Sequence, residues 1–203
     1  MSAYSVPATA LIDETIVNKS RFICYIEHVT SPNEAKTFIE SIQQAHPTAS
    51  HHCYAFVAGA PNNTQVYGFS DDGEPSGTAG KPMFAVVQGS GLGELCAVVV
   101  RYFGGVKLGT GGLQRAYGGS VKEALAKLPT KVKIPMVHRS LACQYTQIND
   151  IQRIVESLDG AIISQTFAES IDLVVEIPLA NETAFCEKIT NVSAGQIQLK
   201  ETR

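Results

Sequence analysis

ELCAVVVRYFGGVKLGTGGLQRAYGG, residues 94–119, passes from an apolar run through a glycine-rich stretch into a helical pattern. The unbroken run Leu95–Val100 predicts a strand buried on both faces, since a half-exposed strand would alternate apolar and polar residues. Beyond the glycines, Leu113, Ala116, Tyr117, Val121, Ala124, Leu125 and Leu128 mark one face of a helix. Seven of the nineteen residues at 101–119 are glycine, so a flexible turn joins strand to helix. Strand, glycine turn and helix in this order is a setting in which proteins hold phosphate. The unpaired amides of the first helical turn point at the ligand, and the helix dipole favours an anion there.

The spacing narrows this reading. A P-loop requires lysine and a hydroxyl residue directly after the second glycine, whereas here Gly109 is followed by Thr110 and Lys107 sits inside the loop. A dinucleotide fingerprint fails as well, because the pattern that starts at Gly109 ends in Gln114. What the residues support is a helix capped by Thr110, with approachable amides at Gly111 and Gly112. Lys107 and Arg115 lie nearby, Arg101 stands at the strand end, and Tyr102, Phe103 and Tyr117 are available for stacking. These residues are the candidate phosphate or nucleic-acid site. The competing reading gives the glycines to positive φ and close packing.

Other constellations carry less. Asp71, Asp72 and Glu74 lie in SDDGEPSGTAGKP, either as carboxylates for a divalent ion or as a polar turn, and the spacing of a calcium loop is missing. His51, His52 and Cys53 are ligand types, but neighbours on a strand face opposite ways, so only His51 and Cys53 share a face. With no second ligand pair, no metal site is expected. Neither G-x-S-x-G nor H-E-x-x-H occurs, so no catalytic residue and no cofactor is assigned.

Working outward, strands are expected at 5–13, 21–29, 53–58 and 64–69, the last two flanking the turn APNN, with a short helix at 82–88. SPNEAKTFIESIQQAH reads as a helix in which Ser31 caps, Pro32 occupies the first turn and Glu34 reaches back to the cap amide. Fifteen of the seventeen glycines lie between Gly59 and Gly119, and 101–133 carries seven cations against one anion. Residues 136–203, by contrast, hold two glycines and five cations against nine anions. That shift marks two domains, 1–135 and 136–203, with KLPTKVKIPMV as the linker. The second reads βαββαβ, from VHRSLACQY and its following helix through AIISQTF and IDLVVEI to a helix at 181–190 and the strand GQIQLKE. This order predicts a ferredoxin-like sandwich.

A net charge of −3 excludes a globally basic nucleic-acid binder but leaves the local basic face at 101–133. The N-terminus lacks a basic segment followed by an apolar run, and no apolar stretch approaches the roughly 20 residues of a membrane span. A cytoplasmic location without membrane contact is expected. Five scattered cysteines without a C-x-x-C pair read as free, mostly buried thiols.

The blocks KSRFICYI (19–26), HHCYAFVAG (51–59), GFSDDGEPSGTAGKPM (68–83) and VVVRYFGGVKLGTGGLQRAYGG (98–119) resemble the YigZ/IMPACT family. The resemblance implies an α+β chain, an S5 domain 2-like N-terminal domain followed by a ferredoxin-like domain similar to the last domain of translation elongation factor G. Both halves thereby have relatives at the ribosome, and with the excess of cations at 101–133 on the glycine loop and helix the expectation is a non-enzymatic factor in translation or stress regulation that contacts RNA or the ribosome. Two alternatives stand beside it. One is a protein-binding regulator, by analogy with eukaryotic members that act in starvation signalling through an additional N-terminal domain, which is not expected here. The other is an enzyme acting on a phosphorylated small molecule, with the DDGEP carboxylates facing the glycine loop.

Overall fold

The computed structural model describes residues 3–61, 63 and 65–201. Asn62 of the APNN turn and Thr64, read as the first residue of a strand, lie outside the described residues. The fold is mixed α+β, and its contacts divide the chain into two compact units, Tyr4–Lys133 and Ile134 onward.

The first unit runs β1 (Tyr4–Pro7), β2 (Leu11–Val17), β3 (Ser20–His28), α1 (Pro32–Ala45), β4 (His51–Val57), β5 (Tyr67–Ser70), α2 (Gly80–Gly89), β6 (Leu95–Tyr102), α3 (Gly109–Lys127) and β7 (Thr130–Lys133). Five strands form one antiparallel sheet in the order β2-β3-β6-β4-β5. The apolar run that suggested a doubly buried strand is β6, at the sheet centre. Leu95, Ala97 and Val99 face a core shared with Met83 and Val87 of α2 and Leu113, Tyr117 and Val121 of α3. Cys96, Val98 and Val100 face the opposite core, with Ala35, Ile39 and Ile42 of α1. The sheet is thus covered by helices on both sides, which removes any need for alternation in its middle strand.

Three expectations are corrected here. The strand expected at 5–13 is two strands, because β1 leaves the main sheet and pairs with β7, Tyr4 opposite Lys133 and Pro7 opposite Thr130. The segment read as a linker therefore includes the last residue of α3, Lys127, and a whole strand of the first unit. In α1, Ser31 accepts from the Glu34 amide as a cap should, but the Glu34 carboxylate reaches the amide and hydroxyl of Thr30. The reciprocal bond is displaced by one residue.

Close approach explains one glycine of the β6–α3 loop. A Cβ at Gly104 would run into the carbonyl of Lys19, while the Gly104 amide donates to Ser20 Oγ at 3.1 Å. Gly104→Ala is expected to lower stability by about 1–3 kcal/mol, the usual cost of overpacking. Urea unfolding measures it, and an unchanged midpoint would mean the loop has slack.

The second unit comprises β8 (Met136–Cys143), α4 (Ile148–Ser157), β9 (Ala161–Phe167), β10 (Ile171–Pro178), α5 (Glu182–Val192) and β11 (Lys200–Glu201). Its element order is β-α-β-β-α-β and its antiparallel sheet runs β11-β8-β10-β9. Ile151 and Val155 of α4 and Phe185 and Ile189 of α5 pack on Leu141, Leu173, Val175 and Ile177. GQIQLKE is a strand only at its last two residues.

Candidate functional site

The α2/α3 face of β4 and β6 ends at His51 and Arg101, which pair across the two strands. One step inward, Cys53 opposite Val99 is already core. Beyond that edge the β5–α2 loop and the first turn of α3 close over the sheet. Ser50, His51, Glu74, Arg101, Phe103, Lys107 and the first turn of α3 through Gly109 and Thr110 line a cleft of about 530 Å³.

Glu74 is the centre of this arrangement. Its side chain is 4% exposed and takes Arg101 Nη1 at 2.5 Å and the Tyr117 hydroxyl at 2.8 Å on the same oxygen, Oε1. His51 Nε2 stands 3.8 Å from that oxygen. Burial, together with the neighbouring Cys53 thiol and the Glu74 carboxylate, pushes the Tyr117 hydroxyl far up, so it remains a donor. The Arg101 guanidinium lies between two rings, 5.5 Å from the Phe22 centroid and 5.4 Å from that of Phe103. Its side chain is 7% exposed, and its Nε is buried without a hydrogen-bond partner among the described residues. Phe22 belongs to the core, whereas Phe103 is 50% exposed and forms part of the cleft wall.

The DDGEP loop is held by its own carboxylates. Asp71 accepts from the amides of Gly77, Ala79 and Gly80 at 2.8–2.9 Å and so closes the N-terminus of α2. Burial raises its carboxyl, but those amides outweigh it and the net effect is a lowered pKa. Asp72 accepts from the His52 amide at 2.5 Å, and its carbonyl accepts from His51 Nδ1 at 2.7 Å. Its φ of +40° places a non-glycine residue in the left-handed region, where the chain turns to aim that carbonyl. Asp71, Asp72 and Glu74 thus have separate partners, and no group of three metal-ligating side chains occurs among the described residues.

At the glycine loop the expectations divide. Helix α3 begins at Gly109, whose φ of +71° turns the chain into it, and Leu108 is the cap residue. Thr110 is therefore inside the first turn and does not cap. The amides left without intrahelical partners belong to that turn, up to Gly111, while Gly112 joins the helical ladder. Lys107, Thr110 and Arg101 line the cleft together with Glu74; Gly111, Gly112 and the exposed Arg115 are not among the lining residues. Tyr117 is fully buried against Phe22, with ring centroids 5.2 Å apart, and the Tyr102 hydroxyl pairs with His46 Nδ1 at 2.8 Å. Of the aromatic residues named for stacking, Phe103 is the one on the cleft. Ser50 and His51 also line it; the signal for His51 was its place on a strand face ending beside Arg101, which becomes visible only with the pairing known.

A second hollow, about 480 Å³, lies on the second unit's sheet, lined by Ser140, Ser164, Thr166, Asp172, Gln198 and Lys200 among others. Its charged lining residues, Asp172 and Lys200, are exposed, unlike the buried Glu74 and Arg101 of the first.

The cleft thus lies where the ends of two interior strands of a helix-covered sheet meet a glycine loop and an acidic turn. Residues 18–125 match the model of the Impact N-terminal domain and 141–196 that of a domain of unknown function, DUF1949. The chain belongs to the IMPACT family. It is 46% identical to IMPACT family member YigZ of Escherichia coli (strain K12), over 98% of each chain. It is 37% identical to IMPACT family member YvyE of Bacillus subtilis (strain 168), over 93% of this chain and 86% of that one. A crystal structure of a hypothetical protein superposes with TM-score 0.72 at 45% identity, covering 100% of this chain and 98% of the other. Among the described residues no helix is long and apolar enough to cross a membrane.

Proposed function

We propose that the first unit binds single-stranded RNA through the cleft, in a factor that contacts RNA or the translation machinery in translation or stress regulation. One phosphate would rest on Lys107 and the first-turn amides of α3, and the attached base would stack on Phe103. The observation that carries this reading is the convergence in one concavity of a cation, a helix N-terminus and a half-exposed aromatic ring. The reading agrees with the expected fold names, S5 domain 2-like and ferredoxin-like, although fold alone does not determine function. Arg115, outside the cleft, is given the smaller part.

Fluorescence anisotropy of a labelled single-stranded RNA at two salt concentrations tests it. Lys107→Ala is expected to weaken binding for every sequence and to reduce the salt slope by about one. Phe103→Ala is expected to cost about 1–3 kcal/mol, the worth of one stacked base. Absence of binding at low salt overturns the reading, and salt-insensitive capture of a protein would favour a protein-binding regulator.

A second reading, an enzyme on a phosphorylated small molecule, is favoured by the meeting of the Glu74 loop and the α3 N-terminus in one cleft. Its volume of about 530 Å³ falls within the range of small-molecule pockets. Saturable binding of a mononucleotide with no affinity for RNA would select it.

A further inference from the structure

We infer that the cleft is catalytic, with His51 as the general base of an RNA strand-cleaving transesterification. This inference rests on the RNA reading above. The carbonyl of Asp72 can only accept, so the 2.7 Å contact requires the proton on His51 Nδ1. Neutral His51 therefore presents the lone pair of Nε2. That nitrogen is 3.8 Å from Glu74 Oε1, too far for a hydrogen bond, and it has no other partner among the described residues. The imidazole is 24% exposed and lines the cleft, so an incoming group can reach it. Glu74 is held by Arg101 and Tyr117 on that same oxygen, which leaves Nε2 open to an incoming group.

The order of the lining residues places the chemistry. Phe103 is joined to Ser50 through its amide, 3.3 Å from Ser50 Oγ, and His51 follows Ser50 on β4. A nucleotide with its base on Phe103 and its 3′-phosphate at Lys107 and the α3 amides would span the cleft that His51 also lines. Nε2 removes the proton of the ribose 2′-hydroxyl, and the 2′-oxygen forms a bond to the adjacent phosphorus. The bond from phosphorus to the 5′-oxygen of the next nucleotide breaks. That oxygen takes a proton from the Lys107 ammonium, which regains one from the His51 imidazolium through water. The products are a 2′,3′-cyclic phosphate and a 5′-hydroxyl, with no net change in protons. The helix amides at the α3 N-terminus are placed to stabilise the charge that builds on the phosphoryl oxygens.

The test uses the full chain in excess over a 5′-labelled oligoribonucleotide, with affinity and cleavage measured on the same samples. The expected result is a product ending in a 2′,3′-cyclic phosphate, formed at least about 100-fold more slowly by His51→Gln when both proteins saturate the RNA, so that the rate is read free of any change in affinity. An oligonucleotide with 2′-O-methyl groups should bind and remain uncut. His51→Ala should recover cleavage when imidazole is added, which a purely structural histidine would not show. RNA that binds the wild type and stays intact overturns the inference and leaves the binding reading standing. Cleavage unaffected by His51→Gln overturns it as well, and RNA that does not bind at all removes the binding reading and this one together.

Discussion

Arg101→Ala is expected to destabilise the first unit by about 3–5 kcal/mol, the usual cost of leaving a buried charge without its partner. Glu74 is nearly inaccessible, and the remaining Tyr117 hydroxyl supplies one neutral donor in place of a cation at 2.5 Å. Glu74→Ala should cost a similar amount, because it strands the guanidinium between Phe22 and Phe103. The double replacement Glu74→Leu/Arg101→Met should recover most of the loss, since a buried ion pair exchanged for apolar groups of like volume is often close to neutral. Chemical denaturation of the four proteins measures these differences. A loss below about 1 kcal/mol for Arg101→Ala would mean that water reaches the pair and that it behaves as a surface bridge. The same ion pair is part of the cleft lining, so the double replacement should fold with the cleft wall altered at that point.

The second large effect concerns Glu94, whose carboxylate is 5% exposed. It accepts from the Tyr4 hydroxyl at 2.8 Å and Lys133 Nζ at 2.5 Å, and His28 Nε2 lies 2.8 Å away. Burial raises its carboxyl, but the contacts with Lys133, Tyr4 and His28 prevail and the pKa is lowered from 4.5. A carboxylate with a native pKa below its unfolded value stabilises the fold above the unfolded value. That contribution is lost as pH falls through 4.5 toward the native pKa. Glu94→Gln should therefore lower stability near neutral pH by about 1.5–3 kcal/mol, as for hydrogen bonds to a charged group. It should also flatten the acid limb of the stability curve. Unfolding free energies measured from neutral pH down to acid decide it, and parallel curves for wild type and variant would show that Glu94 is not the group that titrates.

Local pattern made much of the first unit legible. The run at 95–100 could only be a central strand, the apolar stripe from Leu113 to Leu128 could only be a helix face, and the glycines between them had to be a turn. Residues paired over long separations were harder. Tyr4–Pro7 was merged with β2 because its partner lies some 125 residues away, in a segment whose bracketing prolines Pro129 and Pro135 resemble a linker. Thr110 looked like a cap because hydroxyl residues usually cap, yet Gly109 had already turned the chain into the helix. The site shows the same division. Lys107, Arg101 and Glu74 were named from the sequence, whereas the meeting of Glu74 with Arg101 and Tyr117 depends on contacts that no spacing encodes. His51 was set aside as a metal ligand lacking companions; its tautomer depends on a backbone carbonyl, which a string of side chains does not display.

The β1–β7 ribbon has a mechanical consequence. It places Tyr4 and Lys133, the two ends of the first unit, opposite each other at the open end of an antiparallel pair. A pull that separates those ends loads the ribbon in the unzipping direction, so its hydrogen bonds yield one pair at a time instead of sharing the force. Glu94 holds the side chains of both Tyr4 and Lys133 and is the first link to carry tension, and it hands that tension to β6, which starts one residue later, and to His28 of β3.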